Sequence, residues 1–384
     1  MISPQYQSTS EEFQLQIDDV YSCGGSCAGC VLTQDERKSR VPALKESVFE
    51  LLSSRIIEYL PHISDIKSLN ITYGIGDHLR MSTDYLSSIY DLAVSCIESR
   101  AGLSGSVFIS MSLVGREADL KSKLNHLKAI QKPGIPIIPL VVLDPKKLYN
   151  KRFSDVYKGL MQEAKQISGI VDLSSNLSDE DCRRISPSEM HEFAVLNGFN
   201  DVTLNWVPVQ SNLLSTTQDI KGTARWLNSF TDICESSGKV KSTFSPIFQM
   251  FAEHLKNEGD ISPLEVVDRY VIPLISRQLQ IDHTGNVYPK FDGIGDLPQN
   301  PRFGFESIGN IVDESIDDII TNNSILIKTR TSSPYLKKSS CMSCEYSKYC
   351  ALTGFHVYTK NVLAETDGSC PHLGYDILHH SIKI

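Results

Sequence analysis

Phe13, Leu15 and Ile17 alternate with polar neighbours, a period of two that predicts a strand with one face toward an apolar core. Further apolar runs predict strands at Leu69–Tyr73, Ser106–Ser112, Ile135–Leu143, Ile170–Leu173 and Val202–Val209. The stretches between them suit helices. Within 85–97, Leu86, Ile89, Ala93, Cys96 and Ile97 recur at helical spacing. Ser186-Pro187-Ser188-Glu189 offers an N-cap serine, a proline at the first helical position and a glutamate at the third, a capping box that opens a helix through His191 and Leu196. Residues 217–260 read as helical, with Trp226, Leu227, Phe230, Ile233 and Cys234 as one apolar stripe and Phe244 to Leu255 as a second apolar-rich segment. Gln278 to Pro289 reads as a hairpin turning at Gly285, and Ile308-Gly309-Asn310-Ile311 precedes a helix-like Glu314–Thr321.

Six strand–helix alternations imply an α/β fold of parallel strands joined by right-handed crossovers. The expected division is a tail over 1–12, an α/β domain over 13–215, a helical bridge over 216–262 and a smaller α+β domain over 263–384. In parallel barrels the chemistry lies at the C-terminal ends of the strands.

Composition changes this picture little. The 384 residues, 41% hydrophobic and 22% charged, suit an ordinary globular protein with ample core. A net charge of −9 argues against a nucleic-acid-binding surface. The most apolar stretch, Ile135 to Leu143, is interrupted by Pro136 and Pro139 and is too short to span a bilayer, so no membrane partner is expected. The N-terminus has neither a basic start nor an apolar core, so no signal peptide is expected. Ten cysteines without a secretion signal point to metal ligation in a reducing cytoplasm rather than to disulfides.

Seven of those cysteines form two groups. Cys23, Cys27 and Cys30 stand as Cys-x₃-Cys-x₂-Cys on a glycine-rich loop directly after the first predicted strand. Three thiolates can hold three irons of a 4Fe–4S cubane and leave the fourth iron open to a substrate or cofactor. A zinc knuckle or a purely structural cluster would use the same residue types. Cys341, Cys344, Cys350 and Cys370 can fully ligate a second cubane or enclose tetrahedral zinc. Cys96 and Cys234 fall on apolar helix faces, whereas Cys182 sits in a polar run and is expected at the surface.

The first cysteine spacing resembles the signature of the radical SAM superfamily. The resemblance implies a six-stranded partial (β/α) barrel and S-adenosylmethionine chelated by the open iron. Reductive cleavage of that cofactor then gives a 5′-deoxyadenosyl radical that abstracts hydrogen from the substrate. Where the superfamily usually carries an aromatic residue before the third cysteine, this chain has Gly29, so adenine packing is expected from elsewhere, such as Trp206-Val207-Pro208-Val209. After the second predicted strand, Gly76 and Asp77 match the second glycine and the acid of the superfamily's Gly-Gly-Glu-Pro motif, while Ile75 and His78 do not match. A glycine allows close approach and a carboxylate or carbonyl accepts from the cofactor ammonium; the same stretch also suits a plain strand-to-helix turn. Ser110 or Ser112, at the end of the third strand, is the candidate for the ribose.

The C-terminal part resembles the SPASM and twitch extensions that carry auxiliary iron–sulfur clusters. Lys290 stands where a cysteine commonly follows the Tyr-Pro step, so one auxiliary cluster is expected, two 4Fe–4S clusters in all. Such extensions imply a peptide or protein substrate that is crosslinked, epimerised or oxidised, with a reductant such as flavodoxin or ferredoxin. Oxidation or rearrangement of a small metabolite is the second reading, and a structural metal protein the third. The tail over 1–12 is too short for a peptide-recognition domain, so a leader peptide is expected to bind the barrel, the bridge or a separate protein. His78, Asp292 and Tyr288 are polar residues near the expected site edges, but none is assigned as catalytic acid or base.

Overall fold

The computed structural model describes residues 11–25, 32–149, 151–177, 179–206, 220–242, 276–289 and 307–322. Their strands are β1 (Glu12–Val20), β2 (Ser68–Ile75), β3 (Ser104–Met111), β4 (Ile137–Leu143), β5 (Asp172–Leu177), β6 (Asp201–Trp206), β7 (Lys241–Ser242), β8 (Gln278–Ile281), β9 (Asn286–Pro289) and β10 (Gly309–Asn310). They form one sheet in the order β10-β9-β8-β1-β2-β3-β4-β5-β6-β7. From β8 through β1 to β7 every neighbour is parallel; β8–β9 and β9–β10 are antiparallel. Helices intervene between successive strands from β1 to β7, as parallel neighbours require.

Alternation along each strand gives the sheet two unlike faces. On one, Leu15, Ile17, Ile71, Ile109, Val141 and Leu173 join the core with helix residues such as Leu52, Ile56, Leu86 and Leu124. The other face is polar beside β1. The register sets Gln14 opposite Asn70 and Gln278, Gln16 opposite Thr72 and Gln280, and Asp18 opposite Gly74. Helices therefore cover the apolar face, and hydrogen-bonding side chains line the face turned away from them.

Two helices carry N-terminal caps, one of them the expected capping box. The helix Thr83–Glu98 begins at Ser82, whose side chain accepts from the Tyr85 N–H. Ser186 and Glu189 complete the capping box of the helix Pro187–Asn197. The expected helical bridge needs correction. Helix does not run on through 241 and 242: the helix Ile220–Ser237 stops, Gly238 takes φ +59, and Lys241–Ser242 pairs in parallel with β6. The glycine admits the left-handed conformation that ends a helix, and Lys239 to Ser242 then alternates as a strand does. Phe244 to Leu255 lies outside the described residues.

The expected hairpin is present, with Gly285 in its turn at φ +88. It is fastened to β1 through β8, so the strands beyond the expected boundary at 263 extend the main sheet. A helix over 316–322 follows, slightly later than expected, and Ile316 and Ile319 enter the core. Cys96 and Cys234 are buried as expected; Cys182 is partly buried against the core rather than exposed, because its short helix Asp179–Arg184 turns it inward. Among the described residues no helix is long and apolar enough to cross a membrane.

Candidate functional site

β1 and β2 are parallel neighbours, so their C-terminal ends release two loops at one edge of the sheet: Tyr21 to Gly25 beyond β1, and Gly76 to Arg80 beyond β2. These loops are tied together. The Asp77 N–H donates to the Ser22 carbonyl at 2.6 Å. A Cβ at position 76 would lie 2.2 Å from the Val20 carbonyl oxygen and 2.7 Å from that of Ser22, so only glycine admits this approach. Arg80 Nε donates to Ser22 Oγ at 2.7 Å, and that hydroxyl donates to the Ser39 carbonyl.

The β1–β2 register shifts between Asp18 and Val20, leaving Asp19 as an extra residue. A bulge of this kind re-aims a side chain. Asp18 faces the polar side of the sheet, while the Asp19 carboxylate meets His78 Nε2 at 2.8 and 3.0 Å. The Tyr85 hydroxyl donates to Asp19 Oδ2 at 2.8 Å, and His78 Nδ1 donates to the Ser110 carbonyl at 3.0 Å. Asp19 and His78 are both fully buried. Burial opposes the imidazolium, but the Asp19 charge and hydrogen bond together with the Ser110 carbonyl outweigh it and raise the His78 pKa.

β3 braces the second loop. Ser110 Oγ donates to the Gly76 carbonyl at 2.8 Å, and Ser112 Oγ donates to the Asp77 carboxylate. Asp77 Oδ1 also accepts from the Leu79 N–H at 3.2 Å and caps the short turn His78–Arg80. Burial raises the Asp77 pKa against these hydrogen bonds. The three expected cofactor residues, Gly76, Asp77 and Ser110, are thus brought together and linked to Ser112. Both serine hydroxyl protons are engaged inside the fold.

Cys23 follows directly. Its N–H donates to the Arg37 carbonyl at 3.1 Å, and the Gly25 N–H approaches its Sγ at 3.2 Å. The Arg80 guanidinium passes over Gly24, 3.1 Å from where a Cβ would stand. Burial and the like charge of Arg40 lower the Arg80 pKa, while Asp77 and Cys23 oppose them. Among the described residues, Arg37 Nε is a buried donor with no hydrogen-bond partner. The Gly25 N–H and the Arg80 charge act on the Cys23 sulfur, and an orphaned donor suits an acceptor such as a cluster sulfide. These surroundings fit an iron–sulfur group. Cys27, Gly29 and Cys30 lie outside the described residues, as do Cys341, Cys344, Cys350 and Cys370, Lys290, Asp292 and the stretch 207–209.

The polar face beside the site carries a second buried network. Asp18 accepts from Gln16 Nε2 at 3.0 Å and from Gln280 Nε2 at 2.6 Å. Burial, with the charges of Asp282 and Asp19, pushes its pKa to about 7 despite those bonds. Asp282 organises the β8–β9 turn by accepting from Thr284, Asn286 and Tyr288. The neighbouring His283 meets the Tyr21 hydroxyl at 2.7 Å, so the hairpin reaches the start of the cysteine loop. His78 and Tyr288, expected at site edges, are both buried. Sequence reasoning missed Asp18, Asp19, Ser22, Arg37, Arg80 and Tyr85. Two consecutive aspartates closing an apolar strand were the available signal, since such residues need partners when buried.

No family model matches this sequence, and no curated protein does. Solved structures do share the fold. Streptococcus suis SuiB bound to the precursor peptide SuiA matches with a TM-score of 0.54 at 18% identity, over 90% of this chain and 73% of that one. A histidine-tagged form of anSMEcpe with bound AdoMet matches with a TM-score of 0.56 at 12% identity, over 96% and 98% of the two chains. Native anSMEcpe with bound AdoMet and the Cp18Cys peptide matches with a TM-score of 0.53 at 12% identity, over 88% and 87%. The fold is the α/β partial barrel that these proteins share.

Proposed function

We propose that this chain is a radical SAM enzyme that acts on a peptide or protein side chain: S-adenosylmethionine, cleaved reductively at a 4Fe–4S cluster, supplies a 5′-deoxyadenosyl radical that abstracts hydrogen from that side chain. One observation carries the reading. The loop bearing Cys23 and the turn bearing Gly76 and Asp77 leave adjacent parallel strands at the same end and are bonded to each other there. The loop would hold the cluster through Cys23, Cys27 and Cys30. The turn would hold the cofactor ammonium, with Ser110 bracing it. The shared fold with two proteins solved with bound peptides supports a peptide as the substrate.

In the same reading, residues 263–384 form an auxiliary domain in which Cys341, Cys344, Cys350 and Cys370 ligate a second 4Fe–4S cluster. A small reductant such as flavodoxin or ferredoxin supplies the electron, in the cytoplasm. The test is anaerobic reconstitution of the full chain. About eight irons and eight sulfides per chain are expected, the content of two cubanes. Dithionite and S-adenosylmethionine should then give 5′-deoxyadenosine by mass spectrometry. Four irons with one zinc would remove the auxiliary cluster and leave the first; no 5′-deoxyadenosine from iron-loaded protein would overturn the central assignment.

A further inference from the structure

The pair Asp19 and His78 is costly to bury, and the backbone does not need it. His78 is the first residue of the turn His78–Arg80, preceded by an extended Asp77 at φ −103 and ψ 99. Those are the backbone conditions that proline suits. Among the described residues the His78 N–H makes no hydrogen bond that a proline would remove, since the bonds of this turn run from the N–H groups of Asp77, Leu79, Arg80 and Met81. The chain nevertheless places a histidine there, with its ring 0% exposed. The ring is held from three elements: by Asp19 from the bulge in β1, by the Ser110 carbonyl from β3, and through Asp19 by Tyr85 from the helix Thr83–Glu98. Tyr73 of β2 packs edge-on against it at 6.3 Å between centroids. A carboxylate and a carbonyl can only accept, so both ring nitrogens carry protons and the ring is a cation.

An apolar pair would fill this space without the desolvation cost of two charges. What the charged pair adds is direction. Gly76 and Asp77 immediately precede the ring, and β1, carrying Asp19, runs straight into Cys23. We propose that Asp19, His78 and Tyr85 are positioning residues for the cofactor: the Asp19–His78 ion pair sets the Gly76–Asp77 turn at the distance from the cysteine loop at which it receives the ammonium group of S-adenosylmethionine. This rests on the reading of that turn as a cofactor contact.

The experiment uses the full chain, reconstituted with iron and sulfide, as wild type and as Asp19→Asn, His78→Pro and Tyr85→Phe. Iron content, thermal midpoint, S-adenosylmethionine affinity by calorimetry and the kinetics of 5′-deoxyadenosine formation are measured on each. Asp19→Asn and His78→Pro are expected to keep wild-type iron content while affinity falls about tenfold or more, KM rising far more than kcat falls. Tyr85→Phe, which keeps the ion pair and the fold, should lose roughly two- to threefold in affinity with little change in midpoint. Lower midpoints with unchanged affinity would show the pair to be structural only and would overturn the proposal. Wild-type affinity in His78→Pro would show that the backbone alone sets the turn, with the same consequence. Wild-type protein that holds iron but binds no S-adenosylmethionine would instead overturn the underlying reading of the turn.

Discussion

Asp18 lies on the polar face of β1, buried and held between two glutamine amides. Its folded pKa of about 7 stands above the ordinary 3.8, so the folded state keeps the proton longer than the unfolded chain. Its stabilising contribution is therefore full below about pH 4 and is lost as pH rises through about 7. The displacement corresponds to a cost on the order of 4 kcal/mol once the group is ionised. Asp18→Asn should raise stability at pH 8, leave it nearly unchanged at pH 4, and flatten the difference between; parallel denaturant titrations at the two pH values check this. Asp77 gives a second case. Both carboxylate oxygens accept bonds from inside the fold, from Leu79 and Ser112; the carbonyls of Gly76 and Asp77 accept from Ser110 Oγ and the Arg80 N–H, and each retains a second lone pair. Asp77→Ala should cost about 1–3 kcal/mol by stranding two buried donors, whereas Asp77→Asn should bind S-adenosylmethionine as wild type does. A ten- to hundredfold loss in the asparagine variant, roughly the worth of a charge-assisted bond, would return the contact to the carboxylate.

At the scale of elements, local signals and close contacts behave differently. The capping box of Pro187–Asn197 is a local device, legible as Ser-Pro-Ser-Glu because every partner lies within four residues. Ser186→Ala should cost about 1 kcal/mol and lower the thermal midpoint by a few degrees, without touching cofactor binding. Gly76 is not local. Its constraint comes from the carbonyls of Val20 and Ser22, more than fifty residues away in sequence. Gly76→Ala sets a Cβ against backbone that cannot yield, so the ends of β1 and β2 must part. The expected outcome is loss of iron together with loss of cofactor binding, where Ser186→Ala loses neither; colorimetric iron content and calorimetry separate the two variants. The bulge at Asp19 belongs with Gly76: alternation predicted β1 correctly, yet one extra residue decided that Asp18 and Asp19 serve different networks.

At the scale of the molecule, β8 completes the sheet beside β1, and Leu279, Ile281, Ile311 and Ile316 join the common core. A chain ended after residue 242 would bare the β1 edge and remove those core side chains, and it should aggregate; light scattering on the shortened chain checks this. If it stays soluble and monomeric, the hairpin is an appendage rather than part of the sheet. Alanine at Cys23, Cys27 and Cys30 together should abolish 5′-deoxyadenosine formation while about four irons remain, the content of one cubane. Wild-type rates in that triple variant would end the radical SAM reading.

The sequence alone determined the strand–helix order, the capping box at Ser186, the hairpin and the placing of the cysteine loop behind β1. Each depends on periodicity, or on residues within one turn of their partners, and those are local properties of a chain. It also marked Gly76 and Asp77 as a matched pair at the end of β2. Only the tertiary structure decided what holds them. Asp19 and Ser22 come from β1 and its end, Ser110 and Ser112 from β3 and its end, and none carries a pattern that names its partner in advance. Packing decided the rest: it set the Asp19 carboxylate against the His78 ring, and burial raised the pKa of Asp18. Desolvation depends on every neighbour at once, so such values exist only after the chain has packed.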